Sequence, residues 1–252
     1  MLLNERKGVL SVTNFDNIDR AMAFAAHPDD EILICGGLLH RLSSAGKEVC
    51  VVSFTLGGTA ANTPEEARRM EEQRRGEIEK TDEILGVSRR EILELPSQQV
   101  YNAVYRDNEL HHRLIELIRS FRPQLLISHH GDDHRDHNAI RTITPESVYQ
   151  ASEAILGHLG DPWETPLVLY GSPLDQVPEP SVILEIGEKD LQAKVQALRA
   201  QVSQTRKGFL QRLEEITRSS AALWGSRSFG SGRYAEAFHL DAGHPLRVPM
   251  NK

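Results

Sequence analysis

Cysteine is nearly missing from this chain. Cys35 and Cys50 are the only two in 252 residues, so a disulfide framework is excluded by count. Neither sits in the C-x-x-C spacing of a structural zinc or redox motif, and both read as reduced, packed thiols. Long apolar runs are missing too. The first nineteen residues, MLLNERKGVLSVTNFDNID, carry charges throughout and contain no segment fit for a signal peptide or a membrane span. A cytoplasmic protein is the resulting expectation. Positive charge is in deficit, with 29 Lys and Arg against 36 Asp and Glu and a formal net charge of -7. A partner as anionic as nucleic acid is therefore not expected. Only two tryptophans occur, Trp163 and Trp224, and both read as core or interface residues before sugar-stacking walls.

What is present suffices for a buried core, since 39% of the residues are hydrophobic. Short apolar runs at 21–26, 48–55, 91–96, 124–130, 166–172 and 182–187 read as buried strands, with a last one at 234–240. Helical patterns separate them at 36–46, 64–86, 108–122, 138–158 and, in two stretches, 188–223. Pro123 stops one helix, and Gly46 and Gly86 fall where helix C-caps belong. The alternation predicts an α/β fold, a Rossmann-like and mostly parallel sheet with helices on both faces. No repeat, low-complexity tract or linker divides the chain, so residues 1–252 read as a single domain.

Parallel sheets bind ligands at the carboxyl ends of their strands, and the polar clusters fall there. His27-Pro-Asp-Asp-Glu31 follows the first predicted strand, Leu56-Gly-Gly-Thr59 the second, and His129 to His137 (HHGDDHRDH) the fourth. The first cluster alone fits a helix start, with Pro28 in the first turn and three acids against the positive end of the helix dipole. A helix start does not account for a histidine before that proline, or for a second histidine-rich turn on the neighbouring strand. Imidazoles and carboxylates on two adjacent strand ends are what a zinc ion with an open coordination position requires.

With these residues the sequence resembles the PIG-L/LmbE-like zinc-dependent N-deacetylases of N-acetylglucosamine conjugates. The resemblance rests on A-H-P-D-D-E at 26–31, H-R-D-H at 134–137 and T-L-G-G-T at 55–59. It continues through Arg74-x-x-Glu77, Leu85-Gly-Val87, Arg122-Pro123, the stretch from Lys194 to Gln204, and Y-A-E-A-F at 234–238. It implies His27, Asp30 and His137 as ligands of one Zn2+ per chain. It further implies Asp29 as general base, His134 as the oxyanion-stabilising imidazolium and Asp136 as the carboxylate that orients the neighbouring histidine. Arg74, on a helix that could simply be a solvated face, is implied as a substrate contact. Asp107, before the helix at 108, leaves an N-cap and a sugar-hydroxyl contact both open. Gln201 departs from the resemblance, standing where the family often has histidine.

The function implied is hydrolysis of an N-acetyl group from a small-molecule amino-sugar conjugate, releasing acetate and a free amine. An amidase of a related thiol conjugate is the nearer alternative and a metal-dependent phosphoesterase the more distant one. The absence of G-x-G-x-x-G after the first strand argues against a dinucleotide-dependent dehydrogenase. A homo-oligomer is compatible with the late apolar segments.

Overall fold

The computed structural model describes residues 10–12, 18–57, 63–106, 108–174, 177–204 and 208–240. Strands β1 (Leu10–Val12), β2 (Arg20–Ala25), β3 (Glu48–Thr55), β4 (Arg89–Leu95), β5 (Leu125–His129), β6 (Leu167–Gly171), β7 (Val182–Ile186) and β8 (Tyr234–Leu240) join into one sheet, in the order β1-β7-β8-β6-β5-β2-β3-β4. All pairings are parallel except those of β8, which runs antiparallel to both β6 and β7. The helices are α1 (Asp30–Ser44), α2 (Pro64–Leu85), α3 (Val100–Arg106), α4 (Glu109–Phe121), α5 (Arg135–Ser152), α6 (Glu188–Ala200) and α7 (Phe209–Phe229).

Strand periodicity explains the layers. Met22, Phe24, Val52, Phe54, Leu126 and Val168 point to one face, where they pack with Leu114, Ile118 and Ile140 from α4 and α5. Their alternates Ala21, Ala23, Val49, Val51, Ile127 and Leu169 meet Ile34, Leu38 and Leu42 of α1 on the other. A strand buried on both sides reads as a continuous apolar run, as β2 and β3 do. Among the described residues, no helix is long and apolar enough to cross a membrane.

Three departures from the sequence reading have physical causes. Helix α1 starts at Asp30 rather than 36 and is broken at Cys35 (φ -146°, ψ 18°). The break frees the amides of Gly37 and Leu38, and both donate to the buried Glu236 carboxylate at 3.0 and 2.8 Å. Lys194 Nζ donates to the same carboxylate at 2.6 Å. A side chain at Gly37 would press against Ile186 and Glu236, so the close approach of β7 and β8 depends on that glycine. Helix α5 ends at Ser152, short of the expected 158, because Arg119 gathers the carbonyls of its last turn and of the segment beyond it. Its guanidinium donates to the carbonyls of Gln150, Ala151, Glu153, Ile155, Leu156 and Gly160 at 2.8–3.1 Å. Helix α3 had no counterpart in the sequence reading. Its first turn is held by Asp136, described below.

Candidate active site

The register of the sheet brings the two polar clusters together. Strand β2 lies between β3 and β5, with Ala23 level with both Val51 and Ile127. The turn after β2 is therefore flanked by the turns after β3 and β5. On the β3 side, Thr55 Oγ1 donates to the Ala26 carbonyl at 3.0 Å and accepts the Gly57 amide at 3.1 Å. Gly57 has φ +76°, and a side chain there would occupy the place of the Arg74 guanidinium. Arg74 Nη1 in turn donates to the Leu56 carbonyl at 3.2 Å. Arg74 is buried, so it lies on the packed side of α2 rather than on a solvated face.

Around the turn after β2, Asp30 folds back on its own loop. Its Oδ2 accepts the His27 amide at 2.8 Å and lies 3.2 Å from His27 Nδ1 and 3.4 Å from His137 Nε2. The edge of a tetrahedron of oxygen and nitrogen ligands around zinc is about 3.3 Å, given bonds of about 2.0–2.1 Å. Each of those two separations suits a pair of ligands on one ion. His137 Nδ1 meets Asp132 Oδ2 at 2.8 Å, which fixes the ring and leaves the buried Nε2 without a hydrogen-bond partner. A histidine held by a carboxylate on one nitrogen and open on the other is the usual form of a metal ligand. Among the described residues, two overlapping groups have donor spacing suited to a metal ion: His27, His134 and His137, and the buried Asp30, His129 and His137; His137 belongs to both, and the expected set divides between them, His27 in the first and Asp30 in the second.

Asp29, the N-cap of α1, makes no capping hydrogen bond with its side chain, so the helix-start reading does not account for it. Burial, together with the negative charge of Asp30, raises its pKa against the lowering effect of Arg74 and His27. In Asp30, burial works in the same direction but is outweighed by His137, His27 and His129, which hold its carboxyl well below the usual range. Burial opposes charge on His27 and His137. Asp136 and Asp30 nevertheless push His27 up to about 10, and Asp30 and Asp132 push His137 up to about 9. These carboxylates draw positive charge inward, and a dication can supply it in place of the two protons.

His134 caps α5, its Nδ1 accepting the Asp136 amide at 3.2 Å. Its ring lies 4.8 Å from that of His27 and 4.5 Å from that of His137. The Asp136 carboxylate accepts the amides of Gln98 at 2.7 Å and Val100 at 3.1 Å and stands 3.5 Å from His27 Nε2. It thus organises the start of α3 and faces His27, whereas Asp132 is the carboxylate that touches His137. Asp107 lies outside the described residues.

Asp132 and His129 do not stand out individually within the HHGDDHRDH cluster of the sequence. His129 Nε2 accepts the Ala26 amide at 3.0 Å, and its ring stacks on His137 at 4.3 Å. Burial, with the charges of His137 and His27, lowers its pKa to about 3 and keeps it neutral. Its place as the last residue of β5 was the available signal. Elsewhere, Gln201 donates to Thr81 Oγ1 at 2.8 Å, and Ser203 donates twice to Glu77 at 2.7 and 2.6 Å. These contacts tie the segment after α6 to α2, the helix that carries Arg74.

Asp132→Asn keeps the shape but removes the charge behind His137, and should weaken metal affinity about 10- to 100-fold. A competition titration with a chromophoric chelator measures it, and unchanged affinity would remove Asp132 from the metal's surroundings.

The site opens into a cleft of about 280 Å³ lined by His27, Asp29, Asp30, Arg74, His134 and His137, with Gln98 at its side. Known proteins share both sequence and shape with the chain. It is 30% identical over 171 residues to a 1D-myo-inositol 2-acetamido-2-deoxy-alpha-D-glucopyranoside deacetylase of Thermomonospora curvata, a match covering 58% of this chain and 57% of that protein. The chain spans less than two thirds of the length of the first curated relatives it matches. The N,N'-diacetylchitobiose deacetylase of Pyrococcus horikoshii superposes with a TM-score of 0.78 at 22% identity, covering 91% of this chain and 86% of that one. GalB of Pseudomonas putida, a 4-carboxy-2-hydroxymuconate hydratase, superposes at 0.76 with 21% identity, over 93% of this chain and 99% of that one. The latter two likenesses establish a common fold. The PIG-L model, described as GlcNAc-PI de-N-acetylase, matches residues 22–148, half of the chain and the half that contains every described candidate for metal binding and proton transfer; the chain belongs to the PIG-L family.

Proposed function

We propose that the protein is a zinc-dependent N-deacetylase that releases acetate from an amino-sugar conjugate of the N-acetylglucosamine type. His27, Asp30 and His137 hold one zinc ion per chain in this reading. The observation that carries it is the convergence of His27 Nδ1 and His137 Nε2 on Asp30 Oδ2, beside an aspartate that neither caps its helix nor joins the ligands. The relatives named for deacetylating a sugar–inositol conjugate point to the same reaction.

When bound, the zinc ion supplies Lewis acidity toward water and an amide carbonyl. Asp29 lines the cleft next to the ligand Asp30. It takes a proton from the attacking water and delivers it to the leaving amine; burial and the charge of Asp30 raise its pKa above the ordinary carboxylate value, the direction that favours a carboxylate accepting a proton and passing it on. His134 faces the same space. Its Nδ1 accepts the Asp136 amide and its Nε2 meets the Gln98 side-chain amide at 2.9 Å; a neutral ring whose Nδ1 accepts carries its proton on Nε2. From there it donates to the developing oxyanion as a neutral imidazole, in place of the imidazolium expected from sequence. Burial and the charges on His137 and His27 lower its pKa, in keeping with that state.

Metal analysis and acetate release across a panel of N-acetylglucosamine conjugates, with and without added zinc, test this reading. About one zinc per chain and zinc-dependent acetate are expected; hydratase activity without acetate release would replace it. Arg74 reaches the cleft with a guanidinium anchored on Leu56. Arg74→Ala should raise KM about tenfold, more than it lowers kcat, because a contact away from the reacting bond contributes mainly uniform binding. Steady-state kinetics on the best substrate decide it, and unchanged KM would place Arg74 outside the binding site.

A further inference from the structure

The cleft has two unlike walls. One presents Arg74, Ser97 and Gln98. The other is made of Leu33 from α1, Pro173 and Leu174 from the segment after β6, and Phe209 and Leu213 from the first turns of α7. All five of these described side chains are apolar. Its burial falls off outward: Pro173 and Leu213 are buried, Leu33 is half-buried, and Leu174 and Phe209 are 43% and 44% exposed.

Three separate elements contribute large apolar side chains to one strip, and two of those side chains stand half in water, where exposure is unfavourable. Such surface marks a binding site for apolar material. Transfer of an acetyl group needs no wall of this extent. A polyol offers hydroxyls that these five side chains cannot satisfy and would leave unpaired on binding. We infer that this wall is a subsite for an alkyl or aryl group carried on the far side of the amino sugar, so that the conjugate has an apolar aglycone. The inference rests on the N-deacetylase reading and adds the class of substrate to it. The polar wall, with its guanidinium and amide, faces the sugar hydroxyls.

The test uses the zinc-loaded 252-residue chain with the methyl, hexyl and inositol glycosides of N-acetylglucosamine, and acetate release as readout. The hexyl glycoside should exceed the methyl glycoside at least about tenfold in kcat/KM, since each fully buried methylene is worth about fourfold. Phe209→Ala and Leu174→Ala should each shrink the hexyl-to-methyl ratio severalfold. Leu223→Ala, which changes an exposed leucine of α7 that does not line the cleft, should leave that ratio in place. Equal rates for hexyl and methyl, a preference for inositol, or a ratio unmoved by both cleft variants would overturn the subsite while leaving the deacetylase reading intact. Acetate from none of the three would overturn the deacetylase reading instead. Equilibrium binding of the hexyl against the methyl glycoside then decides the wall separately: a tenfold preference supports it, and equal binding removes it.

Discussion

Asp29→Asn should retain zinc and lose about 10²- to 10⁴-fold in deacetylation rate, the usual contribution of a general acid-base group. Asp30→Asn, one residue away, should instead lose metal affinity, because a neutral amide replaces an anion on a dication. Identical chemistry is split between neighbours by what each carboxylate touches. Asp30 Oδ2 is engaged by the His27 amide and faces both imidazoles, so its lone pairs are committed and its proton affinity is low. Asp29 carries no capping bond and points to the cleft, and its proton affinity is raised by burial and by Asp30. The Asn side chain keeps the volume in each case, so the two variants separate charge and proton transfer from packing. Zinc content and acetate release, measured on both variants under matched conditions, give the answer. Metal lost from Asp29→Asn and retained by Asp30→Asn would exchange the two roles.

Arg119→Ala should lower stability by about 3–5 kcal/mol, the scale set by stripping buried groups of a charged partner. For a chain of this size that corresponds to a melting temperature lower by about 10 °C. Arg119 is 2% exposed and its fork serves six backbone carbonyls over 150–160. Those carbonyls include the last ones of α5, where the negative end of the helix dipole adds to the attraction. Arg119→Lys should recover only a small part, since an ammonium is a point charge with three donors and cannot reproduce a planar fork with five. The effect on zinc content of the folded variant should be small. Arg119 sits at the end of α4 that leads into the start of β5, whereas the histidines lie at the far end of that strand. Thermal unfolding of the three proteins is the measurement, and a melting temperature for Arg119→Ala within about 2 °C of the parent would show the carbonyls to be otherwise satisfied.

The sequence by itself determined the α/β class, the strands 48–55 and 234–240 to the residue, and the neighbourhood of the two polar clusters. Those features are local or periodic. A strand buried on both faces is a continuous apolar run, and ligands gather at the carboxyl ends of parallel strands whatever the sequence between them. The metal-binding residue types follow from coordination chemistry and so are visible one cluster at a time. Only the tertiary structure decided the rest, because each remaining feature joins residues far apart in the chain. The antiparallel course of β8 between β6 and β7, the break in α1, and the burial of Glu236 belong together: Glu236 must reach Gly37, Leu38 and Lys194 at once. The early end of α5 depends on an arginine in the preceding helix. Helix α3 starts where Asp136 accepts its amides, and a short, weakly periodic segment gives no sign of such a partner. The apolar wall of the cleft is likewise scattered over Leu33, Leu174 and Phe209, three unremarkable positions in sequence that only packing of α1, α7 and the segment after β6 brings side by side.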